Sequence, residues 1–364
     1  MRILHTESSC GWGGQELRIL EESRGMIARG HEVALVCPAK ARILAQAPRF
    51  DVPGHALPIG RKRLRGIIAL RRWLAAHPVD VINTHSSTDS WLAALACATR
   101  AKAPPIVRTR HISAPVTPAF GSRWLYGRAV AHLVTTGEVL RQTLVRELGL
   151  DASRVTSVPT GIDPSRFSPG NKTEARHLVG LGAGGRYVGV LATLRSWKGH
   201  LFLLEAFAQL GLPDWTLVIV GDGPMGEPIR AKIAELGLGE RVALVGQQED
   251  PQDWLRAFDI FCLPSYANEG VPQALTQAML SGLPIVTTPV GAILEAVADG
   301  ETALLVSPRD AGALAAAIRR LACDPALAAR LGAAARERAL ARFSRAAMLD
   351  RMESIFRAVI AAER

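Results

Sequence analysis

An acidic residue stands directly before a Gly-x-Pro step and a helical pattern in the segment NEGVPQALTQAML, residues 268–280. Glycine exposes the backbone, and proline suits the first turn of a helix, where its missing N–H costs nothing. The amides of Gly270 and Val271 can then converge with those of the helix start on an anion. The Glu269 carboxylate would be repelled by that anion unless it faces hydroxyl donors. The segment therefore predicts a sugar beside a phosphate group.

Two cations follow another predicted strand, in the segment ATLRSWKGH at residues 192–200. Arg195 and Lys198 leave the end of that strand three residues apart and precede a turn at Gly199. Arginine offers a planar fork and lysine a point charge, a pair that suits a diphosphate. The alternative is that both are ordinary solvated side chains on the surface, where these residue types usually lie.

Glycine-rich loops follow two further strands. In VIVGDGP, Gly221 and Asp222 stand where the backbone can approach a ligand, although a plain strand-to-helix turn fits equally well. In SSCGWGGQE, Gly13 and Gly14 lie between a strand and a helix, where they favour either a phosphate- or sugar-binding loop or a flexible turn. Neither loop has the spacing of a dinucleotide fingerprint.

Two histidines stand at the ends of predicted strands. His85 ends VDVINTH, residues 79–85, and His111 ends PIVRTRH, residues 105–111. A lone histidine is more often structural than catalytic, but two at neighbouring strand ends of one sheet favour a function.

Apolar strands alternate with helices along almost the whole chain, the pattern of parallel α/β sheets. A segment rich in proline and glycine, residues 157–186, interrupts the rhythm and predicts a linker. We therefore expect an α/β fold with doubly wound domains at residues 1–168 and 169–344 and a C-terminal helix at 345–364 that can pack back on the first domain. Such sheets bind ligands at the carboxyl ends of their strands.

Composition narrows the class of protein. At 364 residues the chain suits two domains, and 48% hydrophobic with 21% charged residues indicates a soluble protein. Five scattered cysteines without a Cys-x-x-Cys pair disfavour a zinc site or a disulfide framework. We expect a cytoplasmic protein, since no secretory leader is recognisable. The net charge of +10 invites anionic partners, but no nucleic-acid-binding motif accompanies it.

A basic amphipathic stretch, GRKRLRGIIALRRWLAAH, covers residues 60–77. One interpretation is a helix lying on an anionic membrane, at the inner face of the plasma membrane. The other is an ordinary outer helix of the first domain, because the helices of α/β folds are amphipathic in any case.

The segment VALVGQQEDPQDWLRAFDIFCLPSYANEGVPQALTQAML resembles the donor-site region of family 4 glycosyltransferases, retaining enzymes of the GT-B fold. That family has an acid, then Gly-x-Pro, then a second acid eight positions after the first. The N-terminal glycine loop, LRSWKG and VGDGP follow in the family's order, so the resemblance covers nearly the whole chain. It implies two Rossmann-like domains facing across a cleft, the first binding the acceptor and the second the donor nucleotide.

The resemblance also implies roles for single residues. Glu269 would sit at the reacting sugar with His111, and we expect both to be catalytic. Gln277 replaces the family's second acid, so its bond to the ribose would be a neutral one. Spacing alone favours the alternative, an ordinary surface residue of the helix. The expected donor-binding residues are Gly13, Gly14, Arg195, Lys198, Gly221, Asp222, Gln247, Gly270, Val271, Pro272 and Gln277. The candidate acceptor-binding residues are His85, Ser86, Ser87 and Asp89.

The function that follows is retaining transfer of a hexose from a nucleoside-diphosphate sugar to a saccharide or lipid-linked saccharide, in lipopolysaccharide or polysaccharide synthesis. A UDP-sugar is favoured over GDP- and ADP-sugars, and Gln247 could touch the base. We expect no cofactor and no metal, because the sequence contains no Asp-x-Asp motif. Same-face attack and a covalent intermediate both remain open. The alternative function is a sugar-nucleotide epimerase or hydrolase on the same fold.

Overall fold

The computed structural model describes residues 1–100, 102–111, 116–267 and 269–362. The chain divides into two units: unit 1 comprises Met1–Gly161 and Arg345–Arg364, and unit 2 comprises Ile162–Ser344. The predicted boundary after residue 168 lies too far along the chain. Ile162 and Phe167 are buried in the core of unit 2, and the Ile162 amide donates to the Phe343 carbonyl at 2.8 Å.

The described part of unit 1 forms a seven-stranded parallel sheet in the order β3-β2-β1-β4-β5-β6-β7. Successive residues of its strands bury their side chains on opposite faces. Leu4 and Ile82 join a core on one face, while Ile3 and Val81 join a core on the other. The strands are β1 (Arg2–Thr6), β2 (Glu32–Cys37), β3 (Gly54–Ala56), β4 (Val81–Thr84), β5 (Ile106–Arg110), β6 (His132–Thr135) and β7 (Val155–Ser157).

Helices cover both faces of this sheet, as the doubly wound prediction requires. Leu70 and Leu74 of the third helix and Leu140 and Leu144 of the sixth lie in the same core as Leu4. The helices are α1 (Gly14–Ala28), α2 (Arg42–Gln46), α3 (Leu64–Ala76), α4 (Ser87–Ala98), α5 (Phe120–Trp124) and α6 (Glu138–Leu148).

Unit 2 contains a six-stranded parallel sheet in the order β10-β9-β8-β11-β12-β13 among its described residues. Leu217 and Ile219 face one core, and Val218 and Val220 face the other. Its strands are β8 (Arg186–Leu191), β9 (Trp215–Val220), β10 (Val242–Gly246), β11 (Ile260–Leu263), β12 (Ile285–Thr287) and β13 (Leu304–Leu305).

The helices of unit 2 include one inside the predicted linker. The Asn171 side chain accepts from the amides of Thr173 and Glu174, and this N-cap starts a helix where the sequence predicted irregular structure. The helices are α7 (Lys172–Leu178), α8 (His200–Ala208), α9 (Gly226–Glu235), α10 (Pro251–Ala257), α11 (Gln273–Leu280), α12 (Ile293–Ala296), α13 (Ala311–Cys323) and α14 (Pro325–Arg342).

The last helix, α15 (Arg345–Ala362), belongs to unit 1. Met352 and Phe356 are fully buried in the core that also contains Ile3 and Val81. Arg29, directly after α1, bridges Asp350 at 2.7 Å and Glu353 at 3.0 Å, and these ion pairs link the end of α1 to α15.

The basic stretch at residues 60–77 contains the outer helix α3. Leu70, Trp73 and Leu74 are buried in the core, and the arginines are exposed. Leu64 and Ile68 remain 70% and 40% exposed, so part of the apolar surface of α3 is not covered by unit 1. No helix in the described ranges has the length and apolarity needed to cross a membrane.

Strand order reverses once in each sheet. In unit 1 the chain runs outward from β1 to β3 and then resumes on the other side with β4. In unit 2 it runs from β8 to β10 and resumes with β11. The loops after β1 and β4, and those after β8 and β11, therefore diverge at a switch point, which is where open α/β sheets bind ligands.

Candidate functional site

At the switch point of unit 2, a lysine and a glutamate from neighbouring loops form an ion pair. Lys198 follows β8 and Glu269 follows β11; Lys198 Nζ donates to Glu269 Oε1 at 2.6 Å. The Ser265 hydroxyl donates to the same oxygen at 2.5 Å. The side chains of Lys198 and Glu269 are 17% and 6% exposed, so the pair is largely shielded from water.

Close backbone packing holds this pair in place. Gly199 has φ +77°, and a Cβ on it would overlap the carbonyl oxygen of Pro264 in the loop after β11. In the same pair of loops, the Tyr266 amide donates to the Trp197 carbonyl at 2.8 Å. The positive φ and the missing space for a Cβ both require glycine at residue 199, and a main-chain hydrogen bond joins the two loops.

The glycine loop after β9 packs against the start of the cation loop. Gly221 has φ +142°, and a Cβ there would overlap the carbonyl oxygen of Ala192. The Leu194 amide donates to the Asp222 carbonyl at 2.9 Å. Gly221 thus has a structural reason to be glycine, while the Asp222 side chain is exposed.

The predicted anion-binding segment lies at the start of α11. Pro272 is the N-cap, with φ −70° and ψ 128°, one position before the predicted first turn. Glu269, Val271 and Pro272 are buried, while Gly270 is partly exposed. Gln277 is partly exposed on α11, whose other face buries the Leu275 side chain among others. Asn268 lies outside the described residues.

The remaining donor candidates of unit 2 lie at the same edge of the sheet. Arg195 is exposed, with its guanidinium 5.8 Å from the centre of the Trp197 ring. Gln247 is exposed directly after β10. Both side chains are available to a ligand at the carboxyl ends of the strands.

Sequence reasoning missed the residues that hold Glu269 in place through hydrogen bonds. Ser265 is fully buried, and the Thr288 hydroxyl after β12 donates to its carbonyl oxygen. The Ala292 amide donates to the Glu269 carbonyl at 3.1 Å. Their only signal was position: each follows a buried strand in the middle of the sheet.

At the carboxyl edge of unit 1, three histidine rings form a continuous chain. His5 Nδ1 lies 2.9 Å from His85 Nε2, and His85 Nδ1 lies 2.9 Å from His111 Nε2. His5 is the fourth residue of β1, and the other two directly follow β4 and β5. Burial lowers the pKa of His5 to about 3, and it holds the pKa values of His85 and His111 well below 6.5.

Two buried carboxylates lie beside these histidines. Glu7 accepts from the Ser86 hydroxyl, the Gln15 amide group and the Ser9 backbone amide. Asp89 accepts from the Thr6 hydroxyl at 2.8 Å. Burial, followed by the charge of Glu7, raises the pKa of Asp89 to about 7, and burial also raises the pKa of Glu7.

The structure corrects two of the acceptor candidates. Asp89 is fully buried and accepts from the backbone amides of His85 and Ser86, so it anchors the start of α4 and offers no surface to an acceptor. His85 is 3% exposed and uses both ring nitrogens within the chain of histidines. Ser86 is partly exposed and Ser87 is exposed, so these two can reach a ligand.

The glycine loop of unit 1 leads into α1. Gly13 is the N-cap of α1 and is partly exposed, while Gly14 is exposed. The nearest side-chain atom to a Cβ added at Gly13 would be Glu16 Oε2 at 3.8 Å. Neither sterics nor φ within unit 1 therefore demands glycine at residue 13. Across the described ranges, no cluster of three or more His, Cys, Asp or Glu side chains could hold a metal ion.

Two family models match the chain. A model of glycosyl transferases group 1 matches residues 185–324, and a model of glycosyltransferase family 4 matches residues 12–166. The 2-deoxystreptamine glucosyltransferase of Streptomyces kanamyceticus is 29% identical over 74% of this chain and 78% of its own. The lipopolysaccharide core biosynthesis mannosyltransferase of Rhizobium meliloti is 34% identical over 57% of this chain and 60% of its own.

A solved structure has the same fold. The Anabaena protein HepE, in complex with UDP and glucose, superposes with a TM-score of 0.86 at 22% identity, covering 98% of this chain and 100% of its own. This likeness confirms the predicted fold.

The Lys198–Glu269 pair predicts a specific pattern of stabilities. Lys198→Met should lower the free energy of unfolding by about 2–4 kcal/mol, because it leaves a buried carboxylate without its cation. Adding Glu269→Gln should recover most of that loss, since the amide is neutral. Urea unfolding of both variants measures the two values.

Lys172→Met is the matched control. Lys172 pairs with Asp259 at 2.6 Å in the same unit, but its side chain is 46% exposed. Its removal should cost within about 1 kcal/mol. A double variant as unstable as Lys198→Met alone would show that the unpaired carboxylate of Glu269 is not the cause of the lost stability.

Proposed function

The chain belongs to the group 1 and family 4 glycosyltransferases of the GT-B fold, and from that premise we propose that it transfers a hexose, with retention, from a nucleoside-diphosphate sugar to a saccharide or lipid-linked saccharide. The observation that carries the proposal is the Lys198–Glu269–Ser265 cluster at the switch point of unit 2. It joins a cation for a diphosphate to a carboxylate for sugar hydroxyls.

Lys198 is the residue that couples leaving group and sugar. In the described part of the protein, the charge of Lys198 is balanced by the carboxylate of Glu269. A diphosphate bound at the same edge would share the ammonium group, and the exposed guanidinium of Arg195 would add a second cation. As the glycosidic bond breaks, negative charge grows on the diphosphate, and these two cations would stabilise it.

Glu269 is proposed to bind the reacting sugar rather than attack it. One of its oxygens accepts from both Lys198 and Ser265, which lowers its electron density and its strength as a nucleophile. This favours same-face attack, in which the departing phosphate helps to remove the proton of the acceptor hydroxyl. A carboxylate held in this way would also stabilise the positive charge that develops on the sugar ring.

The nucleotide is proposed to lie along the loops after β9, β10 and β11. Gly221, Asp222 and the Gly270-Val271-Pro272 backbone would line the donor, and Gln277 would bond to the ribose with its neutral amide. Gln247 would lie near the base. We take UDP as the nucleotide, ahead of GDP and ADP, because the Anabaena protein of this fold was solved with UDP and glucose.

The acceptor is proposed to bind to unit 1, with Ser86 and Ser87 as contacts. His111 and the loop of Gly13 and Gly14 would reach the transferred sugar. One relative is a mannosyltransferase of lipopolysaccharide core biosynthesis, which supports a role in assembling the cell envelope, in the cytoplasm at the inner face of the membrane.

Turnover of sugar nucleotides tests the function. UDP-, GDP- and ADP-hexoses are each supplied with a lipid A–core oligosaccharide, and release of the nucleoside diphosphate is followed. Lys198→Met and Glu269→Gln should each lower kcat at least about 100-fold, because each removes a charge that the transition state needs. Lys172→Met should keep the parent rate. Parent-like turnover by both site variants would refute the site, and full release without acceptor would favour the hydrolase alternative.

Activity is expected to need no metal ion. Arg195 and Lys198 supply the positive charge that Mg²⁺ or Mn²⁺ supplies in enzymes that hold the diphosphate through carboxylates. The rate in excess EDTA should equal the rate in added Mg²⁺. A rate abolished by EDTA and restored by Mg²⁺ would contradict this expectation.

We further propose that α3 touches an anionic membrane. Its exposed Leu64 and Ile68 stand among the exposed cations Arg61, Arg63 and Arg65. Apolar surface flanked by arginine favours the interface of a bilayer that contains anionic lipid.

Co-sedimentation with vesicles measures this contact. The parent protein should bind phosphatidylglycerol vesicles and not phosphatidylcholine vesicles. Arg61→Glu, Arg63→Glu and Arg65→Glu together should weaken binding at least tenfold, since each cation near the surface contributes about 1 kcal/mol. The control changes Arg24, Arg42 and Arg351, exposed elsewhere on unit 1, to Glu. Equal losses of vesicle binding in both triple variants would show that the binding depends on net charge and not on α3.

A further inference from the structure

The chain of three histidines in unit 1 restricts where its protons can be. A neutral imidazole has one N–H and one acceptor nitrogen. His85 uses both ring nitrogens, towards His5 on one side and His111 on the other, at 2.9 Å each. It must donate through one and accept through the other. The two hydrogen bonds therefore run in the same direction along the three rings. The tautomer of His111 then depends on that of His5, which lies 80 residues before His85.

Two directions are available, and they differ at the ends of the chain. If His5 donates to His85 and His85 to His111, then His5 Nε2 is an acceptor and His111 carries its proton on Nδ1. If donation runs the other way, His5 Nε2 carries a proton and His111 Nδ1 is an acceptor. The environment of the two ends decides between them.

The His5 end is deeply buried. His5 Nε2 is shielded from water and has no hydrogen-bond partner among the described residues. A ring N–H buried without an acceptor costs free energy, and among buried backbone groups an orphaned N–H is rarer than an under-bonded acceptor. His111, by contrast, is partly exposed, and its Nδ1 is the nitrogen that does not face His85. Donation from His5 towards His111 leaves the proton at the end where it can be satisfied.

Charges around the three histidines favour neutral rings at both ends. The buried Arg18 of α1 lowers the pKa of His5, next to the effect of burial, and so disfavours additional protons at that end. Arg18 and Arg108 of β5 also lower the pKa of His111, after burial. Three rings with lowered pKa values remain neutral at pH 7, as the argument from single protons requires.

We propose that His5 and His85 are positioning residues that hold His111 in its neutral Nδ1–H tautomer, so that this histidine is a hydrogen-bond donor to an oxygen of the bound sugar. The tautomer follows from the contacts and burial of the three rings within unit 1. The contact with sugar rests on the proposed function, and the two parts are tested separately below.

The tautomer is measured by long-range ¹H–¹⁵N correlation on the full chain labelled at histidine nitrogens. The protein has nine histidines, so the spectrum is simple enough to assign by comparison with His111→Gln. We expect the ¹⁵N shifts of His111 to show a protonated Nδ1 and an unprotonated Nε2 at pH 7. A protonated Nε2, or an imidazolium at that pH, would overturn the proposal whatever the protein's activity.

Replacing His85 tests the dependence on the chain. His85→Leu should let His111 populate both tautomers, while His85→Gln should preserve Nδ1–H, because a Gln amide offers one acceptor and donor hydrogens on neighbouring atoms. His132→Leu is the control, since His132 bonds to Thr156 in the same sheet and does not contact the three linked histidines. If His85→Leu does not fold, as judged by circular dichroism, His5→Leu replaces it and should loosen the tautomer in the same way. An unchanged His111 spectrum in the folded variant would refute positioning.

Activity tests the contact with sugar. In the transfer assay, His85→Leu should lower kcat/KM by roughly tenfold, the effect of weakening one hydrogen bond, and His85→Gln should restore it. His132→Leu should match the parent. A His85→Leu variant with a mixed tautomer and unchanged kcat/KM would overturn the donor role of His111. The proposed function would still be tested independently, by the turnover of Lys198→Met and Glu269→Gln.

Discussion

Burial of both faces of two parallel sheets is the constraint on which the rest of this structure depends. A strand buried on both faces presents almost only apolar side chains along its length, as Val218 and Ile219 do in unit 2. Polar groups are then concentrated at the strand ends. The Lys198–Glu269 pair in unit 2 and the Glu7–Ser86 contact in unit 1 each link the two loops that flank a switch point. The chemistry of each unit follows from its sheet.

Much of this could be predicted from short stretches of sequence. The alternation of apolar runs gave the sheets, and the acid before Gly-x-Pro and the two cations after β8 were recognisable because each lies within a few neighbouring residues. The missed helix α7 shows the limit of composition: prolines and glycines around it suggested a linker, although the Asn171 cap was present locally. The boundary between the units was misplaced because backbone pairing of Ile162 with Phe343 leaves no local pattern.

Partners far apart in the chain were beyond prediction. His5 and His85 are separated by 80 residues, and neither sequence context specifies that the rings meet. The sequence predicts Asp89 and His85 as acceptor contacts, yet both are buried: Asp89 anchors the start of α4, and His85 links two other histidine rings. Position after a strand identifies the edge of the sheet, whereas exposure of each side chain decides which residues there can meet a ligand.

The return of α15 to unit 1 has a consequence for biosynthesis. Met352 and Phe356 complete the core over Ile3 and Val81, which are both made before any residue of unit 2. On the ribosome, the part of this sheet face around Ile3 and Val81 therefore lacks its α15 cover until all of unit 2 has emerged, although domains usually fold in order from the N-terminus. The second unit can complete its core while the first still waits for its last helix. Nascent chains of this protein thus expose apolar side chains of the first sheet while unit 2 is being made, and transiently exposed surface of this kind is one reason why chaperones exist.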